Sequence, residues 1–311
     1  MTGSADKEKL IVIAGPTASG KTGISLKLAE LLKTEVVSAD SMQVYRGMDI
    51  GTAKITPSEM RGIPHHMIDV CDPHDNFNVW EYKERAEKAI RDIQKRGMIP
   101  VLCGGTGFYI QSVLYDIDFT EEGADERIRN DLRAFCEENG KEALHDMLSE
   151  VDPASAAAIP SGDVKRVIRA IEFFKLHGTT ISEHNAGEEI KRAAPVYDTK
   201  FFVLTCTKEK LYRRIDERVD RMIAEGLEGE VRELLNDGVP PENTSMQAIG
   251  YRQMAAYLRG ECSLEDAVRR IKTDSRHYAK RQITWFKREE DTILINTDEG
   301  DPFDEIRKYL W

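Results

Sequence analysis

The octapeptide GPTASGKT, residues 15–22, matches G-x-x-x-x-G-K-[ST] at every fixed position and constrains the fold more than any other stretch of the chain. Such a loop wraps phosphate when a buried strand feeds it and a helix starts from it. Its glycines then let backbone N–H groups turn toward phosphate oxygens, and the helix start adds partial positive charge. Both neighbours are present. KLIVIA (9–14) is a short apolar run, and KTGISLKLAELLK (21–33) has Ile24, Leu28 and Leu31 on one helical face. In this context Lys21 neutralises phosphate charge and the Thr22 hydroxyl is placed to ligate magnesium. The octapeptide alone leaves open whose phosphates these are: those of a nucleotide or those of another compound.

The same texture continues downstream. EVVSAD (35–40) reads as a second buried strand, VWEYKERAEKAIRDIQKRG (79–97) as a helix, and IPVLC (99–103) as a third strand that ends at GGTG and a helix through Leu114. Strands alternating with helices imply a parallel sheet covered on both faces. Residues 117–195 then offer no convincing strand but three helical patterns, ADERIRNDLRAFCEENG, KEALHDMLSEVD and GDVKRVIRAIEFFKLHG. FFVLTC (201–206) and TILIN (292–296) return to strand. The expected architecture is therefore α/β: a P-loop NTPase-like core with C-terminal helices, built from 1–116 and 196–311, and an all-helical domain inserted at 117–195.

Net charge is −11, which as an average opposes a nucleic-acid partner, but distribution matters more than the sum. From Arg269 to Arg288 there are eight Lys or Arg and one acid, Asp274, and a second basic cluster, KRVIR, runs from Lys165 to Arg169. Either is a solvated helix face unless it borders the phosphate loop. Five cysteines, Cys71, Cys103, Cys136, Cys206 and Cys262, lie far apart with no C-x-x-C pair, so they are expected to be reduced thiols, with no zinc ribbon or disulfide framework. The polar start MTGSADKEK and the lack of a long apolar run predict neither a secretory signal nor a membrane span, hence a cytoplasmic protein, with a monomer as the default.

Asp40 closes the second strand, and ligands of a parallel sheet sit beyond the carboxyl ends of its strands, so its carboxylate is expected to face the phosphate loop. It suits a metal ligand or a proton acceptor, and the competing reading is a cap for the following turn. GGTG (104–107) opens another loop at the same edge, where Thr106 and a flexible backbone can approach a substrate. His65 and His66 lack further ligands at metal-binding spacing and read as structural or substrate-contacting.

GPTASGKT, then DSMQVYRGMDIGTAK (40–54), PHHMID (64–69), GGTGFY (104–109) and IGYRQ (249–253), in that order, resemble the tRNA dimethylallyltransferase family, the tRNA isopentenyltransferases. The resemblance runs from Leu10 to about Phe286, and DSMQVYRGMDIGTAK is far more specific than the phosphate loop. It implies that the phosphates belong to dimethylallyl diphosphate, that the dimethylallyl group goes to the exocyclic amine of the adenosine next to the anticodon, and that no ATP is consumed. Gly15, Pro16, Thr17, Ala18, Ser19, Gly20, Lys21 and Thr22 would then hold diphosphate, with Arg218 or Arg221 clamping its oxygens and magnesium on Thr22. Asp40 would be the general base and Thr106 would contact the adenine side.

For the tRNA anticodon stem-loop, the resemblance implies contacts by Asp40, Ser41, Met42 and Gln43, by Thr106, by Arg129, and by Lys165, Arg166, Val167, Ile168 and Arg169. It also implies contacts by Gln247, Ala248, Ile249, Gly250, Tyr251 and Arg252. The inserted segment would grip the loop and the Arg269 to Arg288 stretch would follow the phosphate backbone. Arg213, Arg214, Arg218 and Arg221 share their stretch with Asp216, Glu217 and Asp220, so local ion pairing competes with the clamp reading. Eukaryotic relatives extend into a C2H2-type zinc finger; no Cys or His follows His277 here, and the bacterial form is expected. The rivals are an adenylate isopentenyltransferase acting on free AMP, a small-molecule kinase, and a non-enzymatic RNA-binding switch.

Overall fold

A computed structural model of the chain describes residues 7–115, 117, 125–191 and 195–310. The start of the chain before Lys7, Asp116 at the expected domain boundary, the first part of the inserted segment (118–124) and the final Trp311 lie outside the described residues. The chain divides into two compact units, Met1–Leu114 with Val196–Trp311, and Tyr115–Pro195.

In the first unit β1 (Lys9–Ala14) leads through the phosphate loop into α1 (Lys21–Leu32), followed by β2 (Val36–Ala39), β3 (His65–His66), α2 (Val79–Lys95), β4 (Val101–Gly104) and α3 (Gly107–Leu114). The second unit contributes α4 (Glu126–Val151), α5 (Pro153–Ala158), α6 (Val164–His177) and α7 (Ile181–Lys191). The first unit resumes with β5 (Asp198–Thr205), α8 (Lys208–Glu225), α9 (Leu227–Asn236), α10 (Tyr251–Leu258), α11 (Leu264–Phe286), β6 (Ile293–Asn296) and α12 (Pro302–Arg307).

All six strands pair in parallel in the order β3-β2-β4-β1-β5-β6. β1 is central, with Ala14 opposite Gly104 of β4 and Val203 of β5, so the loops that follow β1, β2 and β4 leave the same edge of the sheet. The inner strands β1, β2, β4 and β5 read as apolar runs because both faces are covered. Ile11 and Ile13 of β1, Val36, Val101, Phe202 and Leu204 join Ile24 and Leu28 of α1 in one core. Each such side chain contributes about 1.5–3 kcal/mol when taken out of water. The β3 edge strand, where Val36 faces His65, was not legible as a strand, because two residues carry no periodicity.

Helix ends follow local chemistry. Asn78 caps α2 by accepting from the Glu81 N–H, and Tyr82, Ala86, Ile90 and Ile93, spaced at helical intervals, form its buried stripe.

 α4 bends at Gly140, whose φ of 90° is non-helical, which is why the sequence shows two helical patterns there instead of one. In the helical unit Leu132, Leu144 and Leu148 of α4 pack with Val167, Ile168 and Ile171 of α6. Among the described residues no helix is long and apolar enough to cross a membrane.

Candidate active site

The phosphate loop turns between β1 and α1, with Gly15, Pro16 and Ser19 buried and Gly20 and Thr22 exposed. The Lys21 ammonium folds back over the loop, donating to the carbonyls of Gly15 at 3.0 Å and Pro16 at 2.7 Å. Burial pulls its pKa down to about 8, against the opposing influence of Cys103; the neighbouring Arg218 lowers it further and Asp40 raises it. Lys21, Arg218 and Asp40 therefore share one electrostatic neighbourhood.

Asp40 follows β2. Its Oδ1 accepts from the backbone of Met42 at 2.9 Å and of Gln43 at 3.4 Å. The capping reading is thus present in the structure, but it occupies one oxygen and leaves Oδ2 without a hydrogen bond among the described residues. The carboxylate lines two cavities. The smaller, about 50 Å³, is bounded by Lys21, Thr22, Ser25, Gln43, His65 and Cys103. The larger, about 370 Å³, is bounded by Thr17, Ser41, Met42, Arg218, Tyr278 and Arg281, with Ile215, Val219 and Met222 as apolar wall. Thr106 adjoins this arrangement: its hydroxyl accepts from the Ser41 N–H at 3.1 Å, and its own N–H donates to Ala39 at the end of β2. Burial pushes the Tyr278 hydroxyl up to about 12, so it stays a neutral donor at physiological pH.

The structure separates the two arginine candidates. Arg218 lines the larger cavity and donates to the Thr52 carbonyl at 3.0 Å. Burial lowers its pKa while Asp40 raises it. Arg221 is exposed. The expected local pairing holds for Arg213 with Glu217 at 3.7 Å, whereas Asp216 and Asp220 reach across to Arg276 and Lys272 of α11. Those two pairs, with Arg269 on Asp266, neutralise three of the eight cations expected to follow an RNA backbone. Among the described residues Arg270, Lys280, Lys287 and Arg288 have no ion-pair partner.

Of the residues expected to meet RNA, Gln247, Ala248, Ile249 and Arg252 line the larger cavity together with Asp40, Ser41 and Met42. Tyr251 does not present its side chain there. It is fully buried and donates its hydroxyl to Glu230 at 2.5 Å. The Glu230 carboxylate also accepts from the backbone of Asp49, Ile50 and Gly51 at 2.9, 2.7 and 3.0 Å, pinning the loop that brings Thr52 to the cavity. A Cβ on Gly51 would lie 2.4 Å from the Tyr251 ring, so the glycine is required by this close approach. Gly250 is buried beside the same loop. In the helical unit Val167 and Ile168 likewise point into the core, because a continuous five-residue segment of helix must turn some side chains inward. Lys165 and Arg166 are exposed, and Arg129 and Arg169 both pair with Glu172, a fully buried carboxylate, at 3.0 and 3.2 Å.

Sequence reading missed Glu230, Tyr278 and Gln282. A signal existed for the last two: Ala267, Ile271, Ala279 and Phe286 mark the inward stripe of α11, and Tyr278 and Gln282 fall in it as polar residues in an apolar register. His66 donates from Nε2 to the Glu35 carboxylate at 2.7 Å, while His65 lines the smaller cavity.

A family model described as IPP transferase matches residues 43–289. A tRNA dimethylallyltransferase of Lachnoclostridium phytofermentans is 50% identical over 289 residues, covering 93% of this chain and 92% of the relative. One from Bacillus cytotoxicus is 48% identical over 304 residues, covering 98% and 95%. Among solved structures, a full-length tRNA isopentenylpyrophosphate transferase from Bacillus halodurans aligns with a TM-score of 0.71 at 44% identity, covering 97% of this chain and 94% of that one. A eukaryotic dimethylallyltransferase described as acting on tRNA aligns with a TM-score of 0.79 at 32% identity, covering 93% and 74%.

Proposed function

The chain belongs to the IPP transferase family, and from that premise we propose that it transfers the dimethylallyl group of dimethylallyl diphosphate to the exocyclic amine of the adenosine beside the anticodon of tRNA. The observation that carries this reading is the position of Asp40, whose carboxylate borders both the small cavity at Lys21 and Thr22 and the large cavity at Arg218 and Thr106's neighbour Ser41. A base that touches two chambers can serve two reagents at once.

The chemistry balances as a substitution. The adenine nitrogen attacks the first carbon of the allylic chain, the carbon–oxygen bond breaks, and diphosphate departs with its electron pair. The nitrogen's proton passes to the Asp40 carboxylate, whose second oxygen is not committed to the turn. Lys21, the loop amides and Arg218 stabilise the charge that accumulates on the leaving group, in a setting where burial makes each charge more effective. The adenine amine is a weak nucleophile because its lone pair is delocalised into the ring, so orientation by Asp40 and Thr106 matters as much as proton removal. The target base must leave its stack to reach the site, at a cost of a few kcal/mol that is smaller in a loop than in a duplex.

Magnesium fits this donor set. It favours one or two protein oxygens completed by substrate phosphates, and the exposed Thr22 hydroxyl at the start of α1 supplies such an oxygen. Bound there with the diphosphate, it would add Lewis-acid screening of the leaving group. The AMP-directed rival shares the loop and the aspartate, and the kinase rival shares the loop. Incubating purified protein with unmodified tRNA or AMP, and with dimethylallyl diphosphate or ATP, followed by mass spectrometry of the nucleosides, tests all three. The expected product is dimethylallyl-adenosine from tRNA, and its absence with active donor and folded protein would overturn the reading.

A further inference from the structure

Gln282 of α11 is 6% exposed and joins two loops that are remote in the chain. Its Oε1 accepts from the Thr17 N–H at 2.8 Å, across 265 residues, and its Nε2 donates to the Gly105 carbonyl at 2.8 Å, across 177. The partners fix the orientation of the amide, since a backbone N–H only donates and a carbonyl only accepts. Thr17 belongs to the phosphate loop, and Gly105 immediately precedes Thr106. Gly105 has no room for a side chain: a Cβ there would lie 2.3 Å from Gln282 Nε2. Tyr278, one turn earlier on the same face of α11, borders the larger cavity.

A polar amide in an otherwise apolar stripe costs free energy unless both its ends are bonded, and here both are. We propose that Gln282 is a positioning residue: its planar carboxamide sets the spacing between the loop that holds the diphosphate and the loop that carries Thr106. That spacing aligns the allylic carbon with the incoming amine. The inference rests on the transferase reading given above. Gln282 lines neither the larger nor the smaller cavity and acts through the two loops it holds. A displacement on the order of 1 Å between reacting groups costs about 100-fold in rate, so a clamp at this point governs turnover more than affinity.

Gln282→Met keeps the length and approximate volume of the side chain and removes both hydrogen bonds. Gly105→Ala leaves the glutamine in place but displaces its nitrogen, and serves if the first variant does not fold. The expected result for either, in full-length protein with tRNA and dimethylallyl diphosphate, is a kcat lower by about 10- to 100-fold with each KM changed by less than about threefold. The two substitutions combined should be no slower than the slower single one, because both break one clamp. Amide hydrogen exchange at Thr17 should accelerate by about tenfold or more in Gln282→Met. A kcat within about twofold of the parent in a folded variant, or a fall in thermal stability without a change in kcat, would overturn the proposal. If the parent protein makes no product, the transferase reading fails, and the exchange measurement alone decides the clamp: unchanged exchange at Thr17 refutes it.

Discussion

At the scale of single residues, the site is a set of charges held in places they would not choose alone. Asp40 commits one oxygen to its own turn and leaves the other without a hydrogen bond among the described residues, so under the proposed mechanism Asp40→Asn should preserve the turn while removing the base. The expected loss in kcat is about 100-fold or more, with affinity for pyrophosphate by calorimetry essentially unchanged. Retained turnover would remove Asp40 from catalysis. Arg218→Ala should weaken pyrophosphate binding by about 10- to 100-fold, the range for hydrogen bonds to a charged partner, whereas exposed Arg221→Ala should change it by less than about twofold. Equal effects would mean that the cavity-lining position of Arg218 is irrelevant. The phosphate loop and Asp40 were legible because their signals are local: a spacing pattern, and a polar residue at the end of an apolar run. Choosing Arg218 over Arg221 was not, since the choice depends on which face of α8 meets the rest of the fold.

At the scale of elements, the loop between β2 and β3 shows how a specific sequence can be specific for structural reasons. Lys54, with its side chain 4% exposed, bonds Asp49 and Asp69 at 2.6 Å and the Tyr45 carbonyl at 2.7 Å, and Glu230 collects three backbone amides of the same loop. Much of DSMQVYRGMDIGTAK therefore builds its own scaffold, and Tyr251 of IGYRQ completes it. Tyr251→Phe deletes one bond to Glu230 and should lower stability in urea titration by about 1–2 kcal/mol; no loss would show that the hydroxyl contributes nothing to the loop. On α6 the exposed Lys165 and Arg166 are the residues of KRVIR still available to solvent and phosphate. Changing both to alanine should flatten the salt dependence of tRNA binding by about two charges' worth of slope, with pyrophosphate binding unaltered. An unchanged slope would return this helix to an ordinary solvated surface. Periodicity identified α6 but not the inward turn of Val167 and Ile168, which follows from the packing of α6 on α4.

At the scale of the whole molecule, the parallel sense of the sheet follows from the alternation of strands and helices in the sequence, while the order β3-β2-β4-β1-β5-β6 does not. Glu35, just before β2, bonds Arg96 after α2 and His66 in β3, tying three connections together. The Arg96 hydrogen bond is the main reason that its carboxyl is held down to about 2, against the opposing effect of burial and with His66 assisting. A depressed carboxyl stabilises the fold fully above its ordinary value of 4.5 and loses that contribution as pH falls toward about 2. Glu35→Gln should accordingly lose less stability than the parent over that window, as read by thermal melts; superimposable acid profiles would exclude Glu35 as a source of acid sensitivity. Finally, β1 pairs on one side with β5, which arrives only after the inserted helices. Until β5 has been made, the nascent polypeptide carries a central strand with one open flank. Products truncated before β5 should therefore be inert and prone to aggregation, whereas products that include it should have that flank of β1 closed.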